Sequence, residues 1–124
     1  MEDVINILLR MDIQKPETRE IKIKRLSTLA AEDVSFTIRE LTYSAVADIK
    51  QIEVDTSVHI VLAGVVTPDL KSKELMVHYG AATPAELVKK ILRPGEIEDI
   101  SREIEKLCGY RVNTIEAMED IKKK

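Results

Sequence analysis

The spacing of apolar residues predicts two consecutive helices between positions 83 and 109. Each begins with a proline, at Pro84 and Pro94, and Thr83 can cap the first. Proline is tolerated in a first helical turn because that turn does not need its missing N–H. Gly109 closes the second helix. Each helix has one apolar face: Leu87, Val88, Ile91 and Leu92 in the first, and Ile97, Ile100, Ile104, Leu107 and Cys108 in the second.

The N-terminal region changes its hydrophobic period at Pro16. Before it, apolar residues at helical spacing predict a short helix over positions 2–11. After it, Ile21 and Ile23 alternate with charged residues, and Phe36 and Ile38 alternate with polar ones, which is typical of half-buried strands. The connection over positions 27–33 is short enough for an antiparallel hairpin.

Helices are predicted for most of the remaining chain. Thr42 can cap one that runs to about position 52, Gly80 ends another over 74–79, and Thr114 can cap a last one over 114–122. Positions 57–66 fit a strand or a buried helix, and we favour a helix because a third strand would lack a partner. The predicted fold is α+β and mostly α, with a short N-terminal helix, a two-stranded antiparallel hairpin and about five packed helices in one domain spanning 1–124.

The composition indicates a globular protein with a strongly charged surface. The 124 residues are 44% hydrophobic and 33% charged, with a net charge of −3, so overall charge does not indicate a nucleic-acid partner. The chain has one cysteine and no secretion signal, which predicts a reducing, cytosolic setting. No apolar run reaches the roughly 20 residues that span a bilayer.

No group of residues in the sequence predicts catalysis or cofactor binding. His59 and His78 lack a carboxylate or cysteine at ligand spacing, and Cys108 has no nearby base that would activate it. Acidic residues between positions 96 and 105 fit the solvated face of a helix better than a calcium or magnesium site. We therefore predict no enzyme activity, no metal and no cofactor.

Four cations in positions 19–25, Arg19, Lys22, Lys24 and Arg25, leave a second function open. On a strand they could face a nucleic-acid backbone, and the chain would then be a small regulatory nucleic-acid-binding domain. More often such residues form the solvated face of an edge strand. A salt-dependent shift of DNA would distinguish the two interpretations.

Several longer stretches resemble a known family. The segments EDVINILL, VSFTIRELTYS, KELMVHYGAATPAELVKK and LRPGEIEDI are similar to those of the XkdN-like phage tail assembly chaperones of tailed phages and prophage tail gene clusters. The resemblance covers nearly the whole chain. It implies a non-enzymatic protein in the cytoplasm of the bacterial host that keeps the tape measure protein soluble and helps tail tube subunits assemble, and that is absent from the mature virion.

A tape measure protein with apolar helical stripes would require apolar helix faces on this chain. Two sets of residues offer such faces: Val4, Ile5, Leu8 and Met11 on the N-terminal helix, and Leu75, Met76 and Tyr79 on the helix before Gly80. Methionine's flexible side chain suits a surface that accepts varied partners. Alternatively, both sets pack into the protein's own core.

Overall fold

The computed structural model describes residues 3–118, which form seven helices and a three-stranded sheet. The N-terminal half holds α1 (Val4–Leu9), β1 (Thr18–Lys22), α2 (Lys24–Ala30), β2 (Ser35–Arg39) and α3 (Tyr43–Lys50). The C-terminal half holds α4 (Thr56–Gly64), β3 (Val65–Thr67), α5 (Lys73–Tyr79), α6 (Pro84–Ile91) and α7 (Pro94–Leu107). The α+β class agrees with the prediction, whereas the predicted sheet was too small.

The sheet is antiparallel, with β2 between β1 and β3. Alternation along β2 buries Phe36 and Ile38 and leaves Ser35 and Arg39 exposed, as the period of two predicted. Ile38 is opposite Arg19 on one side and Val65 on the other. The central strand therefore contributes two buried apolar side chains, Phe36 and Ile38, to the core.

The predicted two-stranded hairpin was wrong because β3 adds a third strand. The predicted helix over 57–66 ends at Gly64, and Val65 begins a strand that pairs with β2, with an irregularity between Thr37 and Ile38. A strand has two edges for backbone pairing, so β2 can bind β1 and β3 at once. This second edge is the partner that the sequence interpretation lacked.

The connection between β1 and β2 is also a helix, not a simple turn. α2 begins at Lys24, so the strand predicted from alternating apolar and charged residues ends at Lys22. Ser27 fixes this helix to the next strand, because its Oγ accepts a hydrogen bond from the Val34 N–H at 2.8 Å and lies 3.3 Å from the Val34 oxygen. The strands still pair side by side, as a hairpin would.

The two helices that begin at prolines are confirmed. The Thr83 Oγ1 accepts a hydrogen bond from the Glu86 N–H at 3.2 Å and caps α6. At α7, the Glu96 carboxylate accepts one from the Arg93 N–H at 2.7 Å. Both apolar faces point inward, and the fully buried side chains of the protein are Ile38, Val61, Leu87, Val88 and Ile104 among the described residues.

The predicted helix over 114–122 was wrong for its described part. Residues 114–118 contain no helix, and the positions from 119 onward lie outside the described residues. Ile115 and Met118 are exposed. A short helix is stable mainly when its apolar edge packs against a neighbour, and these side chains have no such contact with the described core.

Candidate partner-binding surface

The helix α1 exposes its apolar side chains to solvent. Val4 is 65% exposed, Ile5 64%, Leu8 52% and Leu9 78%, and no residue of this helix is buried. Among the described elements, none forms an extended contact with α1. A helix with this composition normally buries its apolar face. The structure therefore leaves α1 with an apolar surface that a partner could cover.

The segment that follows α1 extends the exposed surface and joins it to the body. Met11 and Ile13 are exposed, and Pro16 disfavours helical backbone at the residue before it, so the helix does not continue toward β1. Two hydrogen bonds fix the end of the segment. The Glu40 N–H donates to the Glu17 carbonyl at 2.8 Å, and the Glu17 N–H donates to the Glu40 carboxylate at 3.1 Å.

The second predicted surface lies on α5. The Ser72 Oγ caps this helix by accepting a hydrogen bond from the Leu75 N–H at 3.3 Å, and Gly80 ends it with φ of 66°. α5 packs against α6. Leu75 and Met76 are half-buried, whereas Tyr79 remains exposed. This set thus forms a smaller accessible apolar surface than α1.

The two predicted surfaces do not pack extensively against each other, because α1 has no extended contact with α5 or with any other described element. The two predicted partner-binding sets left out three exposed neighbours: Leu9, Ile13 and Val77. Leu9 continues the helical stripe of Leu8, so the spacing alone could have identified it. The exposure of Ile13 and Val77 depends on how the chain packs and has no comparable signal.

The predicted basic strand over residues 19–25 is not a single strand. Lys24 and Arg25 lie in α2, and three of the four cations pair with carboxylates of the same chain. These pairs are Arg19 with Glu103 at 3.1 Å, Lys22 with Asp33 at 3.1 Å and Arg25 with Glu96 at 2.9 Å. Paired cations offer less charge to a phosphate backbone, so this segment gives little support to nucleic-acid binding.

The pair of Arg25 and Glu96 joins α2 to the start of α7. The Arg25 guanidinium donates to both Glu96 oxygens at 2.9 and 3.0 Å and to the Ile91 carbonyl at 2.8 Å. The hydrogen bonds from Arg25 lower the pKa of Glu96. Partial burial acts in the opposite direction, and the hydrogen bond from the Arg93 N–H lowers the pKa further. The same contact raises the pKa of Arg25. The pair is a structural link, since both groups already bind one another.

A cleft of about 390 Å³ lies beside this pair, between the junction of β1 with α2 and one face of α7. Its apolar walls are Ile21, Ile23 and Ile100. Most of the charged groups that line it are already paired, so they do not converge on a vacant position where a substrate could react.

The remaining candidate groups do not assemble into a site. His59 is half-buried, and His78 is exposed with its ring edge-on to that of Tyr79 at 4.7 Å between centroids. Within residues 3–118, no group of three His, Cys, Asp or Glu side chains could hold a metal ion. Nor does any helix in that range have the length and apolar character to cross a membrane.

Comparison with known proteins identifies one family and one related fold. The model of the family described as phage XkdN-like tail assembly chaperone protein matches residues 53–122. A crystal structure of the protein YqbN superposes with a TM-score of 0.61 at 23% sequence identity, over 81% of this chain and 92% of that one. This likeness shows a shared fold. No curated protein matches the chain.

Proposed function

Because this chain belongs to the XkdN-like phage tail assembly chaperones, we propose that it binds the tape measure protein, tail tube subunits or both before the tube polymerises. The proposed action is non-enzymatic: the chain covers apolar surface on these proteins until they assemble. It would act in the cytoplasm of the bacterial host and be absent from the mature virion.

The observation that carries the proposal is the exposed apolar surface of α1. Val4, Ile5 and Leu8 are at least half exposed, and Met11 continues the same surface. A chaperone for a protein with apolar stripes needs an accessible apolar surface of its own. Exposed patches of this kind mark interaction sites more often than single exposed residues do.

The number of exposed apolar side chains on α1 supports this assignment. Complete burial of a Val, Leu, Ile or Met side chain contributes roughly 1.5–3 kcal/mol. Association costs about 4–15 kcal/mol of translational and rotational free energy. One or two residues would not offset that cost, whereas the whole α1 surface could. We therefore assign the main contact to α1 and a supporting contact to Leu75, Met76 and Tyr79 of α5.

The family model covers only one of the two surfaces. The matched segment 53–122 contains α5 and excludes α1. Variants of each surface therefore separate a contact within the matched segment from one specific to the N-terminal helix.

The test is co-expression with the tape measure protein encoded in the same genome, followed by size-exclusion chromatography with light scattering. The wild-type chain should bring the tape measure protein into a soluble complex of defined mass. Leu8→Gln should reduce the amount of complex through α1, and Met76→Gln should reduce it less. Leu29→Gln is the matched control, because Leu29 is 72% exposed on α2 and lies outside both surfaces.

One result would contradict the proposed function, and another would contradict the assigned surfaces. If the tape measure protein stays insoluble with the wild-type chain, or the two elute separately, and tail tube subunits also elute separately, the chain does not bind these partners. A complex that Leu8→Gln and Met76→Gln leave unchanged would retain the function but remove both surfaces from it.

A further inference from the structure

The strand β1 forms an open edge of the sheet. Among the described elements, only β2 contacts it extensively. At the opposite edge, β3 has three residues and is followed by Pro68, which has no backbone N–H to donate. β1 is therefore the longer of the two edges that a further strand could join.

The backbone of β1 turns alternate residues toward that open edge. The Ile23 N–H donates to the Val34 carbonyl at 2.9 Å, so Ile23 directs its backbone groups toward β2. Backbone groups alternate in direction along an antiparallel strand, and Ile21 thus faces β2 as well, whereas Glu20 and Lys22 face outward. Within residues 3–118, the outward N–H and C=O groups of these two residues have no hydrogen-bond partner.

The side chains of β1 are complementary to those of a second copy in one antiparallel register. When Ile21 lies opposite its own counterpart, Glu20 of each copy lies opposite Lys22 of the other, and each such pair can exchange two backbone hydrogen bonds. Opposite charges that face each other stabilise a strand pair, and like charges destabilise it. Centring the pairing on Arg19 or on Glu20 would place that charge opposite itself. The charges therefore select the register centred on Ile21.

The same register covers apolar surface beside the edge. Ile21 is half-buried and lines the cleft together with Ile23 and Ile100 of α7. Facing residues that do not exchange hydrogen bonds have Cα atoms about 4.5 Å apart, which brings their side chains into contact. The two copies of Ile21 would thus pack against each other on the side of the sheet that faces α7.

The existing ion pair of Lys22 leaves this pairing accessible. Lys22 lies 3.1 Å from Asp33, and their side chains are 58% and 83% exposed, so the pair contributes little to stability. Glu20 is exposed and has no ion-pair partner among the described residues. Lysines on an edge strand usually discourage pairing with other chains. Here the charge of Lys22 is matched in one register, which makes the edge selective for a second copy.

We propose that two copies of this chain pair through β1, in the antiparallel register centred on Ile21, and form one six-stranded sheet. Two-fold symmetry makes each contact occur twice. Because the paired stretch is short, the dimer should be weak and its population should depend on protein concentration. Self-association goes beyond the proposed function, since it requires no tail protein.

Light scattering of the purified chain over increasing concentration tests the dimer, and charge exchange tests its register. Glu20→Lys or Lys22→Glu alone turns both facing pairs into like-charge pairs and should weaken dimerisation at least about tenfold. The two substitutions together exchange the charges and should restore it. Glu53→Lys is the matched control, because it makes the same charge change on an exposed residue between α3 and α4. It should leave dimerisation within about twofold of the wild-type value. Circular dichroism of each variant checks that it folds.

Cysteine cross-linking locates the centre of the pairing. Ile21→Cys should form an intermolecular disulfide on mild oxidation, because the two Cα atoms come within disulfide range. Arg19→Cys is the control on the same strand, since its two copies would lie about 14 Å apart along the strands, beyond that range. Peptide mapping by mass spectrometry distinguishes these bonds from any that involve Cys108.

The outcomes decide both the dimer and its register. A chain that stays monomeric up to millimolar concentration overturns the proposal. A dimer that both single charge reversals leave unchanged, or that the combined substitutions fail to restore, lacks the facing pairs of Glu20 with Lys22 and also overturns it. Absence of the Ile21→Cys disulfide, or its equal formation through Arg19→Cys, overturns the register. No tail protein is present in these experiments, so their result is independent of the proposed function.

Discussion

A Cβ atom on Gly64 would lie 2.5 Å from Cδ1 of Ile104 and 2.8 Å from its Cγ2. These residues meet where α4 packs against α7, and the Ile104 side chain is fully buried. The absence of a side chain at Gly64 thus permits the close approach of the two central helices. Core packing is dense enough that Ile104 has little room to move aside.

We expect Gly64→Ala to lower the free energy of unfolding by roughly 1–3 kcal/mol, the usual effect of overpacking a core. Chemical denaturation would measure the change. Gly95→Ala is the matched control in the first turn of α7, because a Cβ there meets no atom within 4 Å. It should be neutral or slightly stabilising. Gly64→Ala should cost less in an Ile104→Val background, which lacks Cδ1, than in the wild-type protein; an equal cost in both backgrounds would contradict the steric explanation.

The link between Arg25 and Glu96 should make stability depend on pH. The pKa of Glu96 lies below its ordinary value of 4.5 because Arg25 donates hydrogen bonds to the carboxylate. The unfolded chain therefore binds this proton more readily than the folded one. The stabilising contribution is fully present above pH 4.5 and is lost as the pH falls through the lower pKa of the folded state.

Glu96→Gln should accordingly lower the free energy of unfolding near neutral pH while preserving an acceptor for the Arg93 N–H. The difference from the wild-type protein should shrink as the pH falls below 4.5. Denaturation curves at several pH values would measure it. Glu98→Gln changes an exposed carboxylate of the same helix and serves as the control. A difference that stays constant with pH would exclude the ion pair as its cause.

Substitutions in α1 should leave folding almost unchanged. Leu9 is 78% exposed, so Leu9→Gln should change the free energy of unfolding by no more than about 0.5 kcal/mol. Leu87 is fully buried, and Leu87→Ala should cost about 2–5 kcal/mol. Thermal denaturation of both variants would compare them. A large loss from Leu9→Gln would mean that α1 packs against the body and is not a free surface.

Two threonines that were both predicted to cap helices should differ in how much their replacement by alanine lowers stability. Thr83 caps α6 through its Oγ1, and Thr83→Ala should reduce stability by about 1 kcal/mol. Thr114 begins no helix in the described residues, so Thr114→Ala should have an effect within about 0.5 kcal/mol. Equal losses from the two substitutions, measured by chemical denaturation, would indicate a helix at Thr114.

The sequence predicted the elements whose signals are local. Thr83 and Pro84 mark the start of α6, Pro94 marks that of α7, and apolar spacing identifies the buried faces of both helices. What it could not predict depends on distant contacts. Val65 forms a strand because β2 is present to pair with it, and α2 is attached to its neighbour through Ser27. Neither contact has a signature within the segment itself.

The proposed partner-binding surface was predictable only in part. The helical spacing of Val4, Ile5 and Leu8 identified an apolar face, but spacing cannot decide whether a face packs inside or remains exposed. That distinction depends on where the chain turns after the helix. Leu75 and Met76 are neither buried nor fully exposed, because α5 packs against α6 and leaves both side chains half-buried.

The attachment of α1 has an evolutionary consequence. Its side chains contribute little to the core, and the segment after it is held to the body by two hydrogen bonds between Glu17 and Glu40, one between backbone groups and one to the Glu40 carboxylate. Most mutations in α1 would therefore escape selection for folding, and under the proposed function they would be selected through the tape measure protein. Under that proposal, phage lineages could exchange or diversify this helix together with their tape measure genes while the remaining fold stayed constant. Chaperone and client would then be inherited as a matched pair.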